Sequence, residues 1–147
     1  ELGYGIICSP IVEASMIHFD EPWLTIYWDD YCNAVRMEWK SYVEGDQARL
    51  GLEAGLGLLQ KNRCSRWLAD VRCLGPVRQI DQDWVNQDWF PRAIAAGLRY
   101  MATVTPTSVI ASMTVRRIMS RVNEVDMLNS YFDDLEHARE WLRNPIK

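Results

Sequence analysis

Asp70 and Arg72 stand on either side of Val71, at the end of the short apolar run Arg66-Trp67-Leu68-Ala69-Asp70-Val71, and Arg78 and Asp81 follow within ten residues. A carboxylate and a guanidinium at the carboxyl end of a strand would orient a polar ligand or an anion, because ligands of open α/β sheets bind beyond those strand ends. Thr105, Thr107 and Ser108, at the end of the next apolar run, would add hydroxyls and the free N–H groups of a helix start. The plainer use of the same residues is structural, with Asp70 as a cap or ion-pair partner and Arg72 as a solvated side chain. Trp84, Trp89 and Trp141, with Phe90, recur at helical spacing. Such rings would line a cavity for a lipid or another apolar ligand, or would simply fill a core. Met113, Met119 and Met127 carry the same two readings.

No motif for chemistry accompanies these residues. His18 and His137 are far apart, and neither belongs to a GxSxG or HExxH pattern. The phosphate-cradling GxxxxGK[ST] is absent too, and Gly51, Gly55 and Gly57 fall inside a helical pattern instead of a strand-to-helix turn. The cysteines at 8, 32, 64 and 73 form no CxxC pair, so no metal site is expected. The expectation is therefore a non-enzymatic chain with no cofactor. An enzyme using Asp70 as a base is the minority alternative.

The elements that must position these residues follow from periodicity. Leu24, Ile26 and Trp28 alternate with Thr25 and Tyr27, and Val35, Met37 and Trp39 alternate with Arg36 and Glu38, across the break Asp29-Asp30-Tyr31-Cys32-Asn33. Period-two alternation on both sides of such a break predicts a β-hairpin. Residues 44–62 place Ala48, Leu52, Leu56 and Leu59 on one helical face. The glycines of this helix cost stability, and their expected use is close approach to the sheet. Residues 66–71 read as a central strand covered on both faces. Asp81 is the expected N-cap of a helix over 82–90, which Pro91 should break or kink, with 92–96 as a second piece closed by Gly97. Residues 100–104 form the next buried strand, and Thr107 or Ser108 caps a helix to about Val122. Residues 127–132 form the last strand, and Asp133 with Glu136 makes a capping box for the terminal helix.

The predicted order is β-β-α-β-α-β-α-β-α, an α/β class with a mixed sheet, because each strand after the hairpin is reached through a helix and should lie parallel to its predecessor. Residues 1–21 read as an N-terminal arm, with at most a short strand near Ala14 to His18, and residues 22–147 as one domain. If the arm leaves the strand from Trp23 to Trp28 at a free sheet edge, that edge invites a homodimer.

The chain has 147 residues, 48% of them hydrophobic and 24% charged, with a formal net charge of −4. That length suffices for a full core without disulfide staples. The apolar runs are too short to span a membrane. The acidic balance removes the general attraction to phosphate on which nucleic-acid binders rely. No signal peptide with a cleavage site is read at the N-terminus, which starts with Glu1 instead of methionine, and the thiols are expected to be reduced in the cytoplasm.

The segments Trp67-Leu68-Ala69-Asp70-Val71-Arg72, Trp84, Trp89-Phe90-Pro91-Arg92-Ala93, Ala96-Gly97-Leu98, Tyr131-Phe132-Asp133 and Ala138-Arg139-Glu140-Trp141-Leu142 resemble those of a bacterial group of STAS-like (SpoIIAA-like) proteins, sometimes linked to the SEC14 lipid-binding fold. The resemblance spans Leu24 to Leu142. It implies a regulatory module that binds a protein partner or a small apolar or anionic ligand, or else a lipid carrier; the strand-end and aromatic positions read above place the binding surface at Asp70, Arg72, Arg78, Asp81, Trp84, Thr105 and Ser108. The phospho-regulated relatives carry a serine in the turn after the central strand. Here that stretch, Cys73 to Asp81, holds neither serine nor threonine. The usual phosphoswitch is therefore absent from this turn.

Overall fold

The computed structural model describes residues 15–145. Among the described residues six strands form one sheet: β1 (Ser15–Glu21), β2 (Leu24–Asp29), β3 (Ala34–Trp39), β4 (Arg66–Asp70), β5 (Tyr100–Val104) and β6 (Leu128–Phe132). They lie side by side in chain order, with β1, β2 and β3 antiparallel and β3 to β6 parallel. The class is α/β and the sheet is mixed, as the periodicity predicts.

The first of these strands lies ahead of the predicted hairpin, where the sequence pattern allows only a short strand near Ala14 to His18, and it runs on to Glu21. β1 pairs with β2 from Glu21↔Leu24 to Ser15↔Asp29, so the sheet begins before residue 22 and the predicted arm contributes its last seven residues to it. A register shift between Ile17 and Phe19 inserts an extra residue. That bulge breaks the alternation by which a strand is recognised in sequence. Strand β1 also covers the edge of β2 at which a homodimer was expected. The rest of the arm, residues 1–14, lies outside the described residues.

Helices α1 (Asp46–Lys61), α2 (Gln79–Trp84), α3 (Phe90–Ala95) and α4 (Val109–Met119) pack on one face of the sheet, and α5 (Leu135–Arg143) on the other. Each crossover from β3 onward steps the same way along the sheet, so crossovers of one hand place their helices on the same side. Alternation sorts the side chains accordingly. Val35, Met37, Trp39, Trp67 and Met101 face α1 to α4, whereas Ala34, Leu68, Ala102 and Val104 face α5.

Two glycines let α1 lie close to the sheet. A Cβ on Gly51 would sit 2.5 Å from Leu24, and one on Gly55 2.5 Å from Trp67 and 2.8 Å from Met37. Gly57 has no such neighbour, so close approach does not explain it.

Pro91 does not break its helix. The chain runs from α2 into α3 through a π-helical turn, Val85–Trp89, in which the Phe90 N–H donates to the Val85 carbonyl. Proline lacks an N–H and crowds the carbonyl four residues earlier, and the wider turn accommodates both. Gly97, at φ 118°, closes α3 as expected. Two caps differ from prediction. Arg78, not Asp81, is the N-cap of α2, and Asp134, not Asp133, caps α5 by accepting the His137 N–H at 2.8 Å. Asp81 is instead engaged by the Gly45 N–H and Arg78, whereas the α5 cap moves by one residue within the same local pattern.

Candidate functional site

Beneath the helix layer, at the carboxyl ends of β3, β4 and β5, lies a cavity of about 120 Å³. Its floor is Trp39, Trp67, Ala69, Met101 and Thr103 from the sheet, and its walls are Ala48 and Leu52 of α1, Val85 and Trp89 of the π turn, Phe90 of α3, and Val115 and Ile118 of α4. The loop after β4 closes over it with Val71, Leu74 and Val77. The strands place Trp39 and Trp67 here through period-two alternation. The π turn brings Trp89 against them.

The aromatic wall is built from interlocking rings. Trp89 meets Trp67 and Phe90 edge-to-face, each with ring centroids 5.0 Å apart, and its indole N–H donates to the Leu52 carbonyl at 3.0 Å. Such pairs add about 0.5–1.5 kcal/mol beyond their buried area. These contacts hold the Trp89 ring between Trp67 and Phe90 at the side of the space.

The closing loop is clamped from two sides. The Val77 N–H donates to Thr114 Oγ1 of α4 at 3.1 Å, and Gln82 Nε2 donates to the Val77 carbonyl at 2.9 Å. Asp81, buried at the cavity wall, accepts the Gly45 N–H at 3.2 Å on both oxygens and Arg78 Nε at 3.0 Å, and Arg78 also reaches Glu44 at 3.4 Å. Gly45 precedes α1 with φ 55°, a conformation that favours glycine. Asp81 thus ties the start of α2 to the start of α1.

The residues expected to form one strand-end site are divided by the sheet. Asp70 points to the α5 face, where it holds Arg72 through Nε at 2.9 Å and Nη2 at 2.8 Å. The hydrogen bond to Asp70 raises the Arg72 pKa, so both charges are engaged within the chain. Arg78 and Asp81 are on the opposite face. Trp84 is half-buried beneath the Arg49 guanidinium, 5.0 Å from its ring centroid, and does not line the cavity. Thr105 Oγ1 donates to the Phe132 carbonyl at 3.3 Å, and Ser108 caps α4 by accepting the Ala111 N–H at 3.3 Å. The division follows from strand alternation: Asp70, two residues after Leu68, turns to the α5 face with it, whereas Arg78 and Asp81 stand at the start of α2 on the other face.

Among the described residues, no three His, Cys, Asp or Glu side chains are grouped to hold a metal ion, and no helix is long and apolar enough to cross a membrane. Cys32, Cys64 and Cys73 are free thiols, and burial pushes the Cys32 thiol up to about 12. Trp39 and Trp67 were legible as inward strand residues, but only the assembled layers make them walls of a void. No family model, curated protein or solved structure matches the chain.

Proposed function

We propose that the protein is a non-enzymatic binding module of STAS-like type that takes a small apolar ligand, of one ring or a short branched alkyl group, into the cavity beneath α1, α2 and α4. The observation that carries this reading is the apolar space of about 120 Å³ lined by Trp39, Trp67, Trp89 and Phe90. An apolar cavity of about 150 Å³ stays dry and admits benzene, whereas drug-sized ligands need roughly 300–1,000 Å³. A ring of benzene size is thus the upper class of occupant, and an acyl chain is not part of the proposal. The clamped loop over Val77 would be the entrance. The element order and the lack of a hydroxyl in the turn after β4 support a STAS-like scaffold that answers to a ligand instead of a phosphate.

The test is titration of the purified chain with benzene and p-xylene, followed by tryptophan emission and by the melting temperature. Binding should shift the emission of the lining tryptophans and raise the melting temperature with ligand concentration. Val115→Phe, which fills the space from α4, should abolish both responses while leaving the circular dichroism of the fold unchanged. A wild type indifferent to both probes, or a Val115→Phe variant that still responds, would overturn the reading.

A further inference from the structure

Strand β6 is the outer strand of the sheet, and the residues on it carry no charge, no proline and no bulge. Those are the devices that blunt a free edge. The opposite edge has two of them, since β1 carries a bulge between Ile17 and Phe19 and the acidic residues Asp20 and Glu21. The two edges are therefore built differently.

The hydrogen bonds of β6 show which of its groups face outward. The Leu128 N–H donates to the Arg99 carbonyl at 2.8 Å, and the Phe132 carbonyl accepts the Thr105 N–H at 3.0 Å. In a parallel ladder alternate residues bond to the same neighbour, so the even-numbered residues serve β5, and Asn129 and Tyr131 direct their N–H and C=O groups away from it.

We propose that this edge pairs antiparallel with the same edge of a second copy, about a two-fold axis at Ser130. The sequence Leu-Asn-Ser-Tyr-Phe is self-complementary in that register. Asn129 and the partner's Tyr131, both with outward groups, become a hydrogen-bonded pair. Ser130 meets the partner's Ser130 on the axis. On the α5 face, half-buried Leu128 lies beside the partner's Phe132, an apolar cross-strand pair of the kind that stabilises sheets.

Charge favours the same arrangement. A groove of about 380 Å³ runs beside β6, with Arg116 over the Tyr131 ring at 4.1 Å toward one end and Glu124 beside Met127 toward the other. Antiparallel pairing reverses the second groove and brings Arg116 toward the partner's Glu124. A parallel arrangement would set like charges together. An isologous contact of this kind closes on itself as a dimer.

Light scattering on the full chain should give twice the 17.1 kDa mass of one copy. Tyr131→Pro removes one outward N–H, and proline is tolerated on edge strands at such positions, so this variant should fold and elute as a monomer. Ser130→Cys, with Cys8 and Cys73 changed to serine, should form an intermolecular disulfide on mild oxidation. Facing residues of a non-hydrogen-bonded pair have Cα atoms about 4.5 Å apart, within disulfide reach. Leu128→Cys in the same background should not. A monomeric wild type at its highest soluble concentration overturns the proposal. So does a dimer in which Ser130→Cys fails to cross-link, and that result is independent of whether Tyr131→Pro folds.

Discussion

Arg139 and Asp29, 110 positions apart, form a buried bidentate ion pair, with Nε–Oδ2 at 2.7 Å and Nη2–Oδ1 at 2.9 Å. Asp29 is wholly buried at the end of β2, and it also accepts Arg36 Nη1 at 3.1 Å and the Tyr31 N–H at 3.0 Å. The pair fastens α5 to the hairpin loop, where Tyr31 lies under the guanidinium groups of Arg139 and Arg143. Burial raises the Asp29 carboxyl, but Arg139 and then Arg36 and the Tyr31 N–H outweigh it and hold the group below the usual range.

Removing one partner should cost more than removing both. Arg139→Met leaves a buried carboxylate with only Arg36 beside it and should lose about 3 kcal/mol in urea unfolding at neutral pH. Asp29→Leu combined with Arg139→Met should lose less than that single change. A double variant weaker than the single one would show that the pair itself carries the stability.

The same group sets an acid limit. A depressed carboxyl pKa contributes stability above its unfolded value of about 3.9, and that contribution is lost as the pH falls through the folded value. The urea midpoint of the wild type should therefore fall toward that of Asp29→Asn below about pH 4. Parallel pH profiles of the two proteins would refute the assignment.

The three glycines of α1 should separate by sign. Gly57→Ala adds a methyl group in open space and should stabilise by up to about 1 kcal/mol. Gly51→Ala and Gly55→Ala drive a Cβ into Leu24 and Trp67 and should destabilise. Thermal unfolding of the three variants reads the order directly.

Asp81 should matter more than Asp70, although both are buried. Asp81→Ala strips the Gly45 N–H of its acceptor and frees α2 from the start of α1, at about 1–3 kcal/mol. Asp70→Ala releases only Arg72, two residues away and part-exposed, and should cost less. Chemical denaturation of both variants measures the difference.

His137 reports on the cap of α5. Its Nδ1 lies 2.7 Å from Asp134 Oδ2, and that hydrogen bond raises the imidazole pKa above 6.5. The pairing stabilises the fold fully below the unfolded pKa and is lost as the pH rises through the folded one. An NMR titration should show the His137 midpoint above 6.5 in the wild type and lower in Asp134→Asn.

Local patterns carried the strands and helices that obey one period throughout. The alternation of Leu24 to Trp28 and of Val35 to Trp39, and the helical spacing from Ala48 to Leu59, state which side chains turn inward, because a strand or helix fixes side-chain direction residue by residue. Where a local rule was interrupted, the reading failed for a physical reason. The bulge in β1 shortened the strand read near Ala14 to His18, which in fact runs from Ser15 to Glu21, and the π turn carried a helix through Pro91.

Composition and periodicity alone established an α/β chain with a hairpin followed by crossovers, acidic overall and without a catalytic or metal motif. The tertiary structure decided where its groups meet. Strands laid in chain order put α1 to α4 on one face, which set Asp70 and Asp81 on opposite sides of the sheet. It also left a void among Trp39, Trp67 and Trp89, and brought Arg139 onto Asp29. Those outcomes depend on the stepping direction of the crossovers and on contacts between residues distant in the chain, and neither is encoded in the spacing of neighbours.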